Sequence, residues 1–191
     1  MIWKKTTQVL IFKIRKGENE MRYWTDGAAT MRKDTNGNYV REAGGWSFCY
    51  ESENGKLKGY YGGLPQTTNN EMELTAIYHA LDAAATIPDF DIRIISDSAY
   101  CINIFTSWAK NWEKNGWTRG KKHEPIENLS IIQKIWTLMG KLEEEGRTLS
   151  FEKVKGHSGV KENEIVDKYA VIGKREAAEK VSRIFKEFEE A

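Results

Sequence analysis

The run Asp91-Ile92-Arg93-Ile94-Ile95-Ser96 narrows the possible folds more than any other stretch of the chain. It is short, nearly continuously apolar, and followed directly by a helical pattern through Cys101, Phe105, Trp108 and Trp112. Such a run reads as a strand of the parallel type, held inside an α/β sheet. Trp108 continues the Cys101–Phe105 stripe and is expected in the core.

Upstream, residues 21–25 alternate apolar and polar, and residues 44–51 and 58–62 are rich in aromatics. Asn54-Gly55 between the latter two is a hairpin signal, so three antiparallel strands are expected in succession. Asn69 and Asn70 offer caps for a helix whose apolar stripe runs through Ile77, Ala80, Leu81 and Ala84. A second long amphipathic helix is expected over 128–145, a fifth strand over 149–154, and a last helix from about Lys161. The order predicts an α/β domain: a mixed five-stranded sheet, three antiparallel strands then two parallel, with helices on both faces. Residues 1–20 read as an added strand or arm and 21–172 as the main domain. Residues 173–191 read as an amphipathic helix with Ala177, Val181, Ile184, Phe185 and Phe188 on one face, packed on the domain or docking a partner.

With 191 residues, 40% of them hydrophobic, and seven Trp, eight Tyr and seven Phe, the chain has material for one real core. A net charge of +1 gives no bulk attraction to nucleic acid, so any basic surface must be local. Cys49 and Cys101 belong to no CxxC or Cys/His cluster and read as reduced core residues. The apolar run near residue 10 is short and flanked by Lys and Arg, which fits neither a signal peptide nor a membrane span. A cytoplasmic protein is expected, and the initial Met favours a free chain over a piece of a polyprotein.

Four acids stand in distinctive settings: Asp26 in YWTDGAA, Glu73 in NNEMEL, Asp97 in IISDSAY and Asp167 in KENEIVD. Glu73 shares a helical face with Ile77, Ala80 and Ala84, whereas Glu71 shares its face with Thr75, Tyr78 and Asp82. Glu73 therefore points to the sheet, and a carboxylate there needs a cation or hydrogen bonds to stay charged. Asp97 ends a parallel-type strand, where open α/β sheets bind ligands, although it could equally cap the next helix. Asp26 closes the first strand before Gly27.

These four segments, in this order and joined by KGHSG around His157, resemble the type 1 ribonuclease H family, bacterial type, over roughly residues 21–172. The resemblance implies a ribonuclease H-like fold that gathers Asp26, Glu73, Asp97 and Asp167 at the centre of the sheet around two Mg²⁺ ions, with Mn²⁺ as a possible substitute. It implies hydrolysis of the RNA strand of RNA/DNA hybrids to 5′-phosphate and 3′-hydroxyl ends, in primer removal or hybrid clearance, by a monomer with no obligate protein partner. Hard carboxylate oxygens suit such ions chemically. His157 would deprotonate the attacking water or carry protons.

Substrate contacts are expected from Gly27, Thr68, Asn69 and Asn70, and from Trp112, Lys114 and Trp117 in a protrusion over 108–122. Thr68 to Asn70 would also serve as helix caps, and Trp112 and Trp117 are open to packing or contact. Glu113 and Asn115 stand where relatives often carry cations, so weaker hybrid affinity is expected. A long charged run from Met31 to Glu42 replaces the short turn of many relatives. The rival readings are a hybrid-binding module without catalysis and a DNA-strand-transfer enzyme.

Overall fold

The computed structural model describes residues 20–88 and 90–190, so the expectation for the first nineteen residues lies outside the described ones. The strands are β1 (Glu20–Lys33), β2 (Tyr39–Glu51), β3 (Leu57–Thr67), β4 (Asp91–Ser96), β5 (Leu149–Lys153) and β6 (Ile184–Glu190). The helices are α1 (Asn69–Ala85), α2 (Ala99–Asn103), α3 (Ala109–Lys114), α4 (Leu129–Glu144) and α5 (Lys161–Lys180). One sheet carries all six strands in the order β5-β4-β1-β2-β3-β6. β4 pairs in parallel with β1 and β5, and the remaining neighbours are antiparallel.

Helices cover both faces, as expected. Tyr23, Trp46, Phe48, Ile92 and Ile94 pack under α1 and α4, while Trp24, Cys49, Tyr61 and Ile95 pack with Val166 and Ala177 of α5. Cys49 and Cys101 are buried and unpaired. Two glycines let the helices lie close. A Cβ on Gly27 would fall 2.3 Å from the Glu73 amide nitrogen of α1, and one on Gly45 would fall 2.0 Å from the Ala170 carbonyl of α5. Among the described residues no helix is long and apolar enough to cross a membrane.

Three expectations change. The helix expected over 173–191 is α5 only as far as Lys180; the chain then turns through left-handed Val181 and returns as β6, a sixth strand against β3. Ile184 and Phe188 are four residues apart, a spacing that fits one helical turn and two strand repeats alike, so periodicity could not separate them. The unpaired edge of β3 decides for the strand. Second, the run from Met31 to Glu42 is an extension of the β1–β2 ladder, with Lys33 opposite Tyr39. Third, Trp108 is 38% exposed. A π-helical turn over Ile104–Trp108 adds a residue to the repeat and rotates the downstream helix, so Ala109 enters the core in its place.

Phe188 of β6 is buried and stacks on Tyr169 of α5 at 3.7 Å between ring centroids. Phe188→Ala is expected to destabilise the fold by about 3 kcal/mol, read by urea unfolding, whereas an unchanged midpoint would detach β6 from the core.

Candidate active site

Three of the expected acids meet where the C-terminal end of β4 and the middle of β1, which runs on past Asp26 rather than closing there, face the start of α1. Carboxylate oxygens of Asp26, Glu73 and Asp97 all lie within 4.8 Å of one another. Each arrives by a separate route. Asp26 extends β1 beyond its last parallel contact with β4, opposite Ser47, whose hydroxyl donates to the Val166 carbonyl of α5 at 2.8 Å. Glu73 lies on the buried stripe with Ile77, Ala80 and Ala84 and is only 4% exposed, while Glu71 on the other face is half-exposed, as the helical spacing required. Asp97 follows β4 and is not a cap: Ser98 caps α2 by accepting from the Cys101 amide at 3.4 Å, leaving the Asp97 carboxylate to the cluster.

Asp167, on α5, stands at the rim with its side chain 37% exposed. Its carboxyl bears on Asp26 by charge and hydrogen bonding. His157 lies beyond it, Nδ1 3.8 Å from Asp167 Oδ2, with its side chain 81% exposed and its backbone left-handed at φ 51°. The histidine therefore faces solvent above the acids and does not belong to the cluster.

Burial, and then the neighbouring negative charges, raise the proton affinity of these groups. Desolvation first, then the charges of Asp97 and Asp167, push the Asp26 carboxyl from 3.8 up to about 8. Glu73 is driven well upward, by desolvation first and then by Asp26 and Asp97, against the weaker pull of Asn69 and the Gly27 backbone. Its Oε1 accepts from Asn69 Nδ2 at 3.4 Å, but its buried Oε2 has no hydrogen-bond partner. An unpartnered buried carboxylate oxygen beside two more carboxylates fits a divalent cation. The donors are hard oxygens with no sulfur or nitrogen among them, which suits Mg²⁺ or Mn²⁺.

Two residues do more at the site than the sequence suggested. Asn69 was expected to cap α1 and touch substrate; it also ties Glu73 to β1, because its Oδ1 accepts from the Ala29 amide at 3.1 Å. Its spacing of four from Glu73 on a helix was the available signal. Gly156, in the KGHSG segment, approaches the cluster closely: a Cβ there would fall 2.4 Å from Asp97 Oδ2. A glycine directly before His157 marked a close approach.

The other expected contacts are spread around the cluster. Thr68, rather than Asn69 or Asn70, caps α1, accepting from the Glu71 amide at 3.2 Å, and Asn70 is half-buried beside it. Gly27 abuts Glu73. Trp112 and Trp117 are half-buried against the α1-side core, so packing accounts for part of each ring, and Lys114 is exposed at the end of α3.

The RNase H family model matches residues 18–175. Ribonuclease H of Saccharopolyspora erythraea is 36% identical over 160 residues, which cover 84% of this chain and 94% of that protein. The crystal structure of LC9-RNase H1, described as a type 1 RNase H with the type 2 active-site motif, aligns with a TM-score of 0.65 at 24% identity over 86% of this chain and 74% of its own. LC11-RNase H1 in complex with an RNA/DNA hybrid aligns with a TM-score of 0.55 at 17% identity over 82% of this chain and 98% of its own. At these identities the structural matches establish the fold.

The raised carboxyls set a pH dependence. The metal-free fold keeps protons that the unfolded chain has released, so its stability falls as pH rises from about 4 through about 8. Asp26→Asn is expected to raise the melting temperature of the metal-free chain at pH 8 by about 3 °C or more, with the gain shrinking toward pH 4. Millimolar Mg²⁺ should stabilise the wild type more than the variant. A variant that melts lower than wild type at pH 8 without metal would contradict the electrostatic picture.

Proposed function

The chain belongs to the ribonuclease H family, and we propose from that membership and from its acidic cluster that it hydrolyses the RNA strand of RNA/DNA hybrids. The observation that carries the reading is Glu73: buried, its Oε2 unpartnered, within 4.8 Å of two further carboxylates. A module that only bound hybrid would have no use for so costly an arrangement.

Asp26, Glu73 and Asp97, with Asp167 at the rim, would hold the cations, Mg²⁺ in the first instance and Mn²⁺ as a substitute. A pair of such ions supplies Lewis-acid activation of a water and neutralises charge at the scissile phosphate. The protein does the rest. The carboxylates would fix where the cations, and through them the phosphate, sit, and Asn69 holds Glu73 in place among them. His157, exposed and beside Asp167, takes up or passes on the proton from the attacking water. The P–O bond to the 3′ oxygen breaks, leaving 3′-hydroxyl and 5′-phosphate ends.

Around this centre, Gly27, Thr68, Asn69 and Asn70 border one side of the substrate path. Trp112, Lys114 and Trp117 border the other, where Lys114 meets phosphates and the exposed edges of the rings meet sugars or bases. LC11-RNase H1, of the same fold, is known with a bound hybrid, which supports the substrate assignment. We place the enzyme in the cytoplasm, acting as a monomer in primer removal or hybrid clearance.

An end-labelled hybrid with Mg²⁺ provides the test, with single-stranded and duplex RNA alongside. Cutting is expected on the hybrid alone, and Asp97→Asn should lower the rate by roughly 10³-fold, the several kcal/mol that metal coordination contributes. His157→Ala should cost about 10²-fold at neutral pH while leaving hybrid affinity intact. Hybrid binding by a folded wild type that never cuts with Mg²⁺ or Mn²⁺ would sink the hydrolase reading in favour of the binding module.

A further inference from the structure

The β1–β2 ladder does not stop at the site. It runs on past Asp26 to a turn over residues 34–38, with Met31 opposite Arg41, Arg32 opposite Val40 and Lys33 opposite Tyr39. The turn is ordered. Asp34 Oδ1 accepts from the amides of Asn36 and Asn38 at 2.8 and 2.9 Å, the Asp34 amide donates to the Asn38 carbonyl, and Gly37 supplies the left-handed residue at φ 82°. The extension is thus a built arm rather than a slack loop.

Its two faces differ. Strand alternation puts Met31, Lys33, Tyr39 and Arg41 on one face and Arg32 and Val40 on the other. Arg32 is committed to Glu42 at 2.7 Å, and Asp34 to the turn amides. The first face carries the exposed groups. Met31 and Tyr39 are 50% and 68% exposed, and the Lys33 ammonium lies over the Tyr39 ring at 5.2 Å. Arg41 pairs with Glu71 at 3.9 Å, an exposed ion pair that a phosphate can exchange for, and this places the face on the side of the α1 N-terminus, where Asn69 accepts from the Ala29 amide. Two cations flank an exposed aromatic ring, and no acid stands opposite them on the arm.

We propose that this arm grips the nucleic-acid backbone of the hybrid beyond the cleaved bond, Lys33 and Arg41 on phosphates and Tyr39 against a sugar or base. The proposal rests on the reading above that the substrate is an RNA/DNA hybrid. Two cations complement a polyanion and release counterions on contact, and an exposed ring offers a stacking platform that tolerates any sequence. Seven residues of ladder from Asp26 to Lys33 span about 20 Å, or roughly six base-pair steps. The arm therefore adds affinity on long hybrids that short ones cannot use. It supplies cations to a surface whose protrusion over residues 108–122 contains Glu113 and Asn115.

Fluorescence anisotropy without divalent cation, on the full chain, reads binding apart from cleavage. Lys33→Gln/Tyr39→Ala/Arg41→Gln is expected to weaken a hybrid of roughly 20 base pairs by about tenfold and to make the log–log salt slope shallower by about 1 to 2. A hybrid of about six base pairs should bind both proteins alike. Tyr39→Ala alone, which leaves the charges in place, should weaken the long hybrid by about threefold with no change in slope. Equal affinity of wild type and triple variant for the long hybrid would overturn the proposal, as would equal losses on long and short hybrids. Cleavage with Mg²⁺ is scored separately. A wild type that binds through the arm but does not cut would sink the hydrolase reading alone, and one that cuts with arm-independent affinity would sink the arm alone.

Discussion

At Gly27, α1 and β1 approach until the Glu73 amide nitrogen occupies the space a side chain would need. The rest of the site follows from that seam. It brings the first turn of α1 against the middle of β1, so a residue on the helix's apolar stripe is delivered into the interior next to Asp26. Any larger residue at 27 would lift the helix and withdraw Glu73. The same seam is braced by Asn69, which holds the Ala29 amide with one end and Glu73 with the other. Gly156 performs the matching service for Asp97 from the opposite side, allowing the loop that carries His157 to close over the strand end.

The result is an electrostatic conflict maintained by packing. Carboxylates within 4.8 Å of one another repel by about 3–4 kcal/mol per charged pair at an effective dielectric near 20, and burial adds the cost of desolvation. Among the described residues no lysine or arginine pairs with Asp26, Glu73 or Asp97 to relieve this, so protons or cations must. Burial and this repulsion push the proton affinity of Asp26 and Glu73 upward, so without a cation they take up protons. Cation binding explains why the arrangement is useful, since the stored repulsion becomes affinity for a small, hard, doubly charged ion. His157 stays outside the conflict, in solvent, 3.8 Å from Asp167.

Around the cluster, the surface is assembled from unlike pieces. The π-helical turn before α3 redirects the tryptophan-bearing helix, exposing Trp108 and leaving Trp112 and Trp117 half in the core. On the other side, the extended ladder carries Lys33, Tyr39 and Arg41 away from the body of the sheet. With a net charge of only +1, attraction for a nucleic acid has to come from where cations sit rather than from how many there are.

Local pattern alone determined much of this. The spacing of Ile77, Ala80 and Ala84 separated Glu73 from Glu71 correctly, and the short apolar run through Ile92, Ile94 and Ile95 placed Asp97 at a strand end. Both are properties of a single element: which face is apolar, and where the element stops. The tertiary structure decided what depends on a second element. The open edge of β3 made Ile184–Glu190 a strand, because a four-residue spacing is compatible with either conformation until a hydrogen-bonding partner is present. A π-helical turn exchanged Trp108 for Ala109, and mutual pairing turned the charged run after Met31 into an arm. The meeting of Asp26, Glu73 and Asp97 is of the same kind. Chemistry and facing are written residue by residue, but distance between segments far apart in the chain arises only when backbones pack, and here two glycines set how closely they do.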